Sequence, residues 1–139
     1  MNETKKELFD RIKFTLNNFD LREIIINVPE LRSEAWGLLK SRHPDNADLR
    51  EIIERVLELR SEAWGLLKSQ HPDDYGLRKI IERVLELRSE AWELLKSRYL
   101  SSYEIQQIIR YVPELREEAQ CLLDSLETKP EDDFNKLFE

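Results

Sequence analysis

The chain has 139 residues, 40% hydrophobic and 37% charged, with 3 glycines and 5 prolines, which suits one compact core and excludes a linker or a membrane protein. Its net charge of −7, with 4 basic against 9 acidic residues over 105–139, lacks the clustered Lys and Arg of a phosphate-binding surface, so no nucleic acid is expected as partner. Cys121 is the only cysteine and no stretch nears the ~20 apolar residues of a spanning helix, so neither a disulfide nor a membrane partner is expected.

Residues 2–19 come first, with no apolar run of the kind a signal peptide carries. Leu8, Phe9, Ile12, Leu16 and Phe19 recur there at helical spacing among Lys5, Lys6, Asp10, Arg11 and Lys13. This pattern predicts an N-terminal capping helix, as stacked repeats need an end piece over their first apolar edge.

From Leu21 onward the sequence repeats itself every 28 residues without insertion. Residues 21–48 read LREIIINVPELRSEAWGLLKSRHPDNAD, 49–76 are a close copy, 77–104 another, and 105–127 a fourth, shorter one. The second and third copies agree at 20 of 28 positions, which points to recent duplication or consensus design. A fixed period of this size marks supersecondary units that bury their apolar faces only by stacking. The expected fold class is all-α, an α-solenoid of about four two-helix repeats with a capping segment at each end, forming one domain.

Within a repeat, Leu21, Ile24, Ile25 and Val28 share one helical face, and Asp20 and Asp48 are the expected N-caps. Pro29 and Pro113 then favour the start of a new helix, whose apolar face carries Leu31, Ala35, Leu38 and Leu39 and which runs to about Ser41. Pro44 and Pro72 end the second helices. Because Leu57 and Leu85 replace the prolines in the middle repeats, one uninterrupted helix through both stripes, in an up-and-down bundle, is the competing expectation. Trp36, Trp64 and Trp92 sit on the flank of the second helix, where a neighbouring repeat would cover them; repeat four has Gln120 there. Arg32, Arg60 and Arg88, four residues earlier, are expected to rest on the indoles.

The chain closes with Thr128–Asp133, a charged linker pattern, and Phe134, Leu137 and Phe138 at spacing i, i+3, i+4. Folding back of these three over the edge of repeat four is the expected outcome, because closing a short loop costs less than burying three such side chains returns.

Reaction chemistry is hard to find. His43-Pro44-Asp45 and His71-Pro72-Asp73 match the tripeptide of J-domain cochaperones, but they recur with the repeat period and serve equally as helix stop and turn. Two histidines about a helix-packing distance of ~10 Å apart and one cysteine make no metal site. No phosphate loop or nucleophile–base pair is present, so neither enzyme activity nor a cofactor is expected. One feature lacks an obvious internal purpose: the small residues Ser33, Gly37 and Ser41, repeated as Ser61, Gly65 and Ser69. A helix-interior Gly costs ~1 kcal/mol against Ala, so either neighbouring second helices or a partner's helix is expected to approach there.

With the unit LREIIxxVPELRxEAWxLLKSxHPDxxD laid out over residues 21 to about 126, the chain resembles a short HEAT-like α-solenoid and is similar to leucine-rich-repeat-variant proteins. That resemblance implies a cytoplasmic, non-enzymatic scaffold for another protein, monomeric or weakly homo-oligomeric. A structural or self-assembling repeat unit is the alternative, and a nucleic-acid-binding module a weaker one.

Overall fold

The computed structural model describes residues 2–98, 100–127 and 137–138, and every regular element among them is helical. The chain divides into two compact units, one up to Pro72 and one from Asp73. The first holds α1 (Lys5–Ile12), α2 (Asn18–Asn27), α3 (Arg32–Ser41), α4 (Asn46–Arg55) and α5 (Arg60–Ser69). The second holds α6 (Asp74–Arg83), α7 (Arg88–Lys96), α8 (Ser102–Tyr111) and α9 (Arg116–Glu127). In the first unit α2 packs on α3 and α4 on α5, and α2 packs on α4; in the second, α6 on α7, α8 on α9, and α6 on α8. Each unit is therefore two stacked helix pairs, the all-α repeat fold that the 28-residue period predicts.

The first helices begin three residues earlier than the apolar pattern suggests. Asn17, Asp45, Asp73 and Ser101 are the N-caps, each accepting from the backbone N–H three residues on. Asp20 and Asp48 are thus not caps but third-position residues, and Asp20 closes a capping box by accepting from the Asn17 N–H at 3.1 Å. The cap explains the tripeptides as well. His43 and His71 take left-handed φ values of 56° and 55° as the chain leaves α3 and α5, Pro44 and Pro72 are buried, and Asp45 and Asp73 start the next helix.

Every repeat contains a break, with or without proline. At Val28, Val56, Val84 and Val112 the backbone turns to ψ values of 84–95°, and a 3-10 turn over 29–31, 57–59, 85–87 or 113–115 leads into the second helix. The uninterrupted helix is excluded. An arginine fastens the break. Arg32 Nε donates to the Ile25 carbonyl at 2.6 Å and its Nη2 to Ile26 at 3.2 Å, satisfying carbonyls that the end of α2 leaves without helical partners. Arg60 does the same at Ile53 and Glu54 (2.7 and 3.4 Å), Arg88 at Ile81 and Glu82 (2.7 and 3.3 Å), and Arg116 reaches Ile109 at 3.1 Å.

Leu57 and Leu85 stand on these turns 67% and 68% exposed, where repeats one and four carry proline as the first residue. Leu57→Pro combined with Leu85→Pro is expected to leave helical circular dichroism unchanged and to raise stability by about 0.4–1 kcal/mol per site, through the unfolded state. Were the helices continuous, each proline would instead cost ~3 kcal/mol or more, a difference that urea melts resolve readily.

The core is assembled from the repeated aliphatic positions. Leu21, Ile25, Leu39, Leu49, Ile52 and Ile53 have no exposed surface in the first unit, nor do Leu77, Ile80, Ile81 and Leu95 in the second. The N-terminal helix is shorter than its pattern: α1 stops at Ile12, a 3-10 turn covers Lys13–Thr15, and Phe9 is its only buried residue. Phe19 belongs to α2 and is exposed, with the Arg22 guanidinium 4.7 Å from its ring centre. At the other end, the charged linker and Phe134 lie outside the described residues. Leu137 and Phe138 are exposed, so these two do not supply the buried cap expected of them.

Candidate functional site

The first helices pack on one another between repeats, and the second helices add side-chain links and carry the small-residue stripe on another face. Trp36 and Trp92 are buried to within 3%, and each indole N–H donates to a glutamate of the following repeat, Trp36 to Glu62 at 2.9 Å and Trp92 to Glu118. The same carboxylates take a lysine: Lys40 Nζ lies 2.6 Å from Glu62 and Lys96 Nζ 2.7 Å from Glu118. The Lys40 ammonium, then the Trp36 indole, hold the Glu62 carboxyl below its usual range, and Lys96 and Trp92 do so for Glu118.

Lysine, not arginine, rests on the tryptophans. Lys40, Lys68 and Lys96 lie 5.5–5.6 Å from the ring centres of Trp36, Trp64 and Trp92. The expected Arg32, Arg60 and Arg88 partners are engaged at the helix breaks instead. Both repeat-four positions differ. Gln120 replaces the tryptophan and Asp124 the lysine, and Gln120 donates to Asp124 at 3.0 Å on an exposed surface.

The stripe lies away from this clamp. Ser33, Gly37 and Ser41 on α3, and Ser61, Gly65 and Ser69 on α5, are all exposed. A Cβ added at Gly37 or Gly65 would meet nothing within 4 Å. Close packing of neighbouring second helices through these glycines is therefore ruled out, since α3 meets α5 through Trp36, Lys40 and Glu62. Ser41 and Ser69 turn their hydroxyls back to the Leu38 and Leu66 carbonyls at 2.6 and 2.7 Å. The equivalent Glu93 and Cys121 are exposed too, which is why larger residues fit there.

Among the described residues no group of three or more His, Cys, Asp or Glu could hold a metal ion, and no helix is long and apolar enough to cross a membrane. Comparison with family models, curated proteins and solved structures returns no match. Geometry and sequence alone therefore carry the functional reading.

Proposed function

We propose that this chain is a non-enzymatic, HEAT-like helical-repeat scaffold that binds another protein along the exposed face of α3 and α5. One observation carries this reading: two helix-interior glycines, each costing ~1 kcal/mol against Ala, face open space rather than another part of the chain. With serines one turn to either side, they form a smooth strip on which a partner's backbone can lie close. The clamp on another face supports the reading, because Trp36 and Lys40 on α3 hold Glu62 on α5 and leave the strip uncovered.

The test is a pair of substitutions at the same sites. Gly37→Ala with Gly65→Ala should stabilise the fold by about 1 kcal/mol per site, as no atom opposes the added methyl. Gly37→Glu with Gly65→Glu should stay helical by circular dichroism while losing the protein partner that the wild-type chain retains in a pull-down from its source cells. Retention of that partner by the glutamate variant removes the strip as its binding face.

A further inference from the structure

Within the first unit, the leading edges of repeats one and two can be compared position by position. In repeat two the edge consists of Ile52, Val56, Glu58 and Glu62. There α2 packs on α4, the Arg32 guanidinium reaches Glu58, and Trp36 and Lys40 hold Glu62. Ile52 and Val56 are buried in consequence. The same positions in repeat one are Ile24, Val28, Glu30 and Glu34, and here α1 takes the seat. It fills it poorly. Ile24 and Val28 remain half-buried, and α1 packs on the 29–31 turn rather than on α2. A cleft of about 260 Å³ remains between Leu8, Phe9 and Ile12 on one side and Ile24, Val28 and Leu31 on the other.

The hold on α1 is light. Phe9 is its only buried side chain and Leu8 is 40% exposed. Among the described residues its ion pairs to repeat one, Lys5 to Glu30 at 3.9 Å and Lys6 to Glu34 at 2.5 Å, are open to solvent, where screening leaves ion pairs weak. Just beyond it the chain is pinned, because Arg42 donates to the Leu16 carbonyl and, at 3.4 Å, to that of Lys13. This anchor lies between α1 and α2 and does not involve α1 itself.

We propose that the leading edge of repeat one is a docking seat for an amphipathic helix of another protein, one carrying Arg, an aromatic residue four positions on and Lys four after that, which displaces α1. The polar chemistry of the occupant is read from α3, whose Arg32, Trp36 and Lys40 hold the equivalent Glu58 and Glu62 in repeat two. Its positive charges meet Glu30 and Glu34 as Arg32 and Lys40 meet Glu58 and Glu62, its aromatic residue lies beside Glu34 as Trp36 lies beside Glu62, and its apolar face covers Ile24 and Val28. A second copy of this chain is a poor occupant through α3, α7 or α9: α3 and α7 hold their own Glu62 and Glu118, and α9 would set Asp124 against Glu34. This seat is separate from the glycine strip and does not rest on it.

The probe is a fluorescein-labelled peptide with the sequence of residues 29–42, PELRSEAWGLLKSR, titrated into the full chain and followed by anisotropy. Saturable binding is expected, weakened at least ten-fold by Glu30→Gln with Glu34→Gln and tightened several-fold by Lys5→Ser with Lys6→Ser. All four side chains reach solvent, so both variants keep the fold, which circular dichroism verifies. Shifts of the Ile24 and Val28 methyl resonances should accompany saturation. The proposal is overturned by an absence of saturable binding to both the wild type and the lysine variant, by equal affinity for the glutamine variant, or by methyl shifts confined to residues remote from α2. The Gly37→Glu, Gly65→Glu variant should bind the peptide as the wild type does, which separates failure of this seat from failure of the strip.

Discussion

Trp36→Ala should lower the unfolding free energy by about 3–5 kcal/mol, and Trp92→Ala by a similar amount, because each opens a cavity between two repeats and leaves a glutamate without its indole donor. Both rings are buried to within 3%, both carry a lysine on one face, and both donate across the repeat boundary. Gln120→Ala, at the equivalent exposed position, should stay within ~0.5 kcal/mol of the wild type. Denaturant melts of the three variants decide the matter, and similar small effects in all of them would show that the indoles do not join the repeats. Acidification offers a second readout. Since Glu62 and Glu118 have lowered folded-state pKa values, their contribution is present above the ordinary carboxylate range and disappears as pH falls through the folded values. Stability of the wild type should therefore fall more steeply on acidification than that of Glu62→Gln with Glu118→Gln.

Arg88→Ala is the second large effect, at about 2–3 kcal/mol. The guanidinium caps the Ile81 and Glu82 carbonyls and also reaches Glu114 in the next repeat, so its loss strands acceptors at the end of α6 and cuts a link between repeats. Arg88→Lys should recover less than half of the loss, because one ammonium group cannot copy a fork that serves three acceptors. Arg116→Ala should cost noticeably less, since among the described residues it makes a single 3.1 Å bond, to the Ile109 carbonyl on an exposed surface. If urea melts give Arg88→Ala and Arg116→Ala the same small cost, the helix break is held by something other than this fork.

Part of what the structure corrects was legible in the repeats. Arg116 persists in repeat four although its tryptophan has become Gln120, which separates the arginine's role from the indole. The lysine at 40, 68 and 96 becomes Asp124 together with that tryptophan, as residues sharing one partner should. Likewise, the series Asp20, Asp48, Gly76 and Glu104 includes a glycine, whereas Asn17, Asp45, Asp73 and Ser101 supply a capping side chain in every repeat. Comparing positions across the four copies, rather than reading one copy alone, recovers these pairings.

The sequence by itself determined the period, the helical class, the two apolar stripes and the tryptophan flank, because each follows from local spacing and from side chains that must leave water. Tertiary structure alone decided which face of the second helix meets its neighbour and which stays open. Gly37 and Gly65 read identically in sequence whether another helix or solvent lies beside them. Only the placement of α3 against α5 leaves that space empty. The fit of α1 on the first repeat was equally hidden. The depth of Ile24 and Val28 depends on how far a short helix of different sequence can follow the contour that a whole repeat covers elsewhere, and that is a matter of packing rather than of pattern.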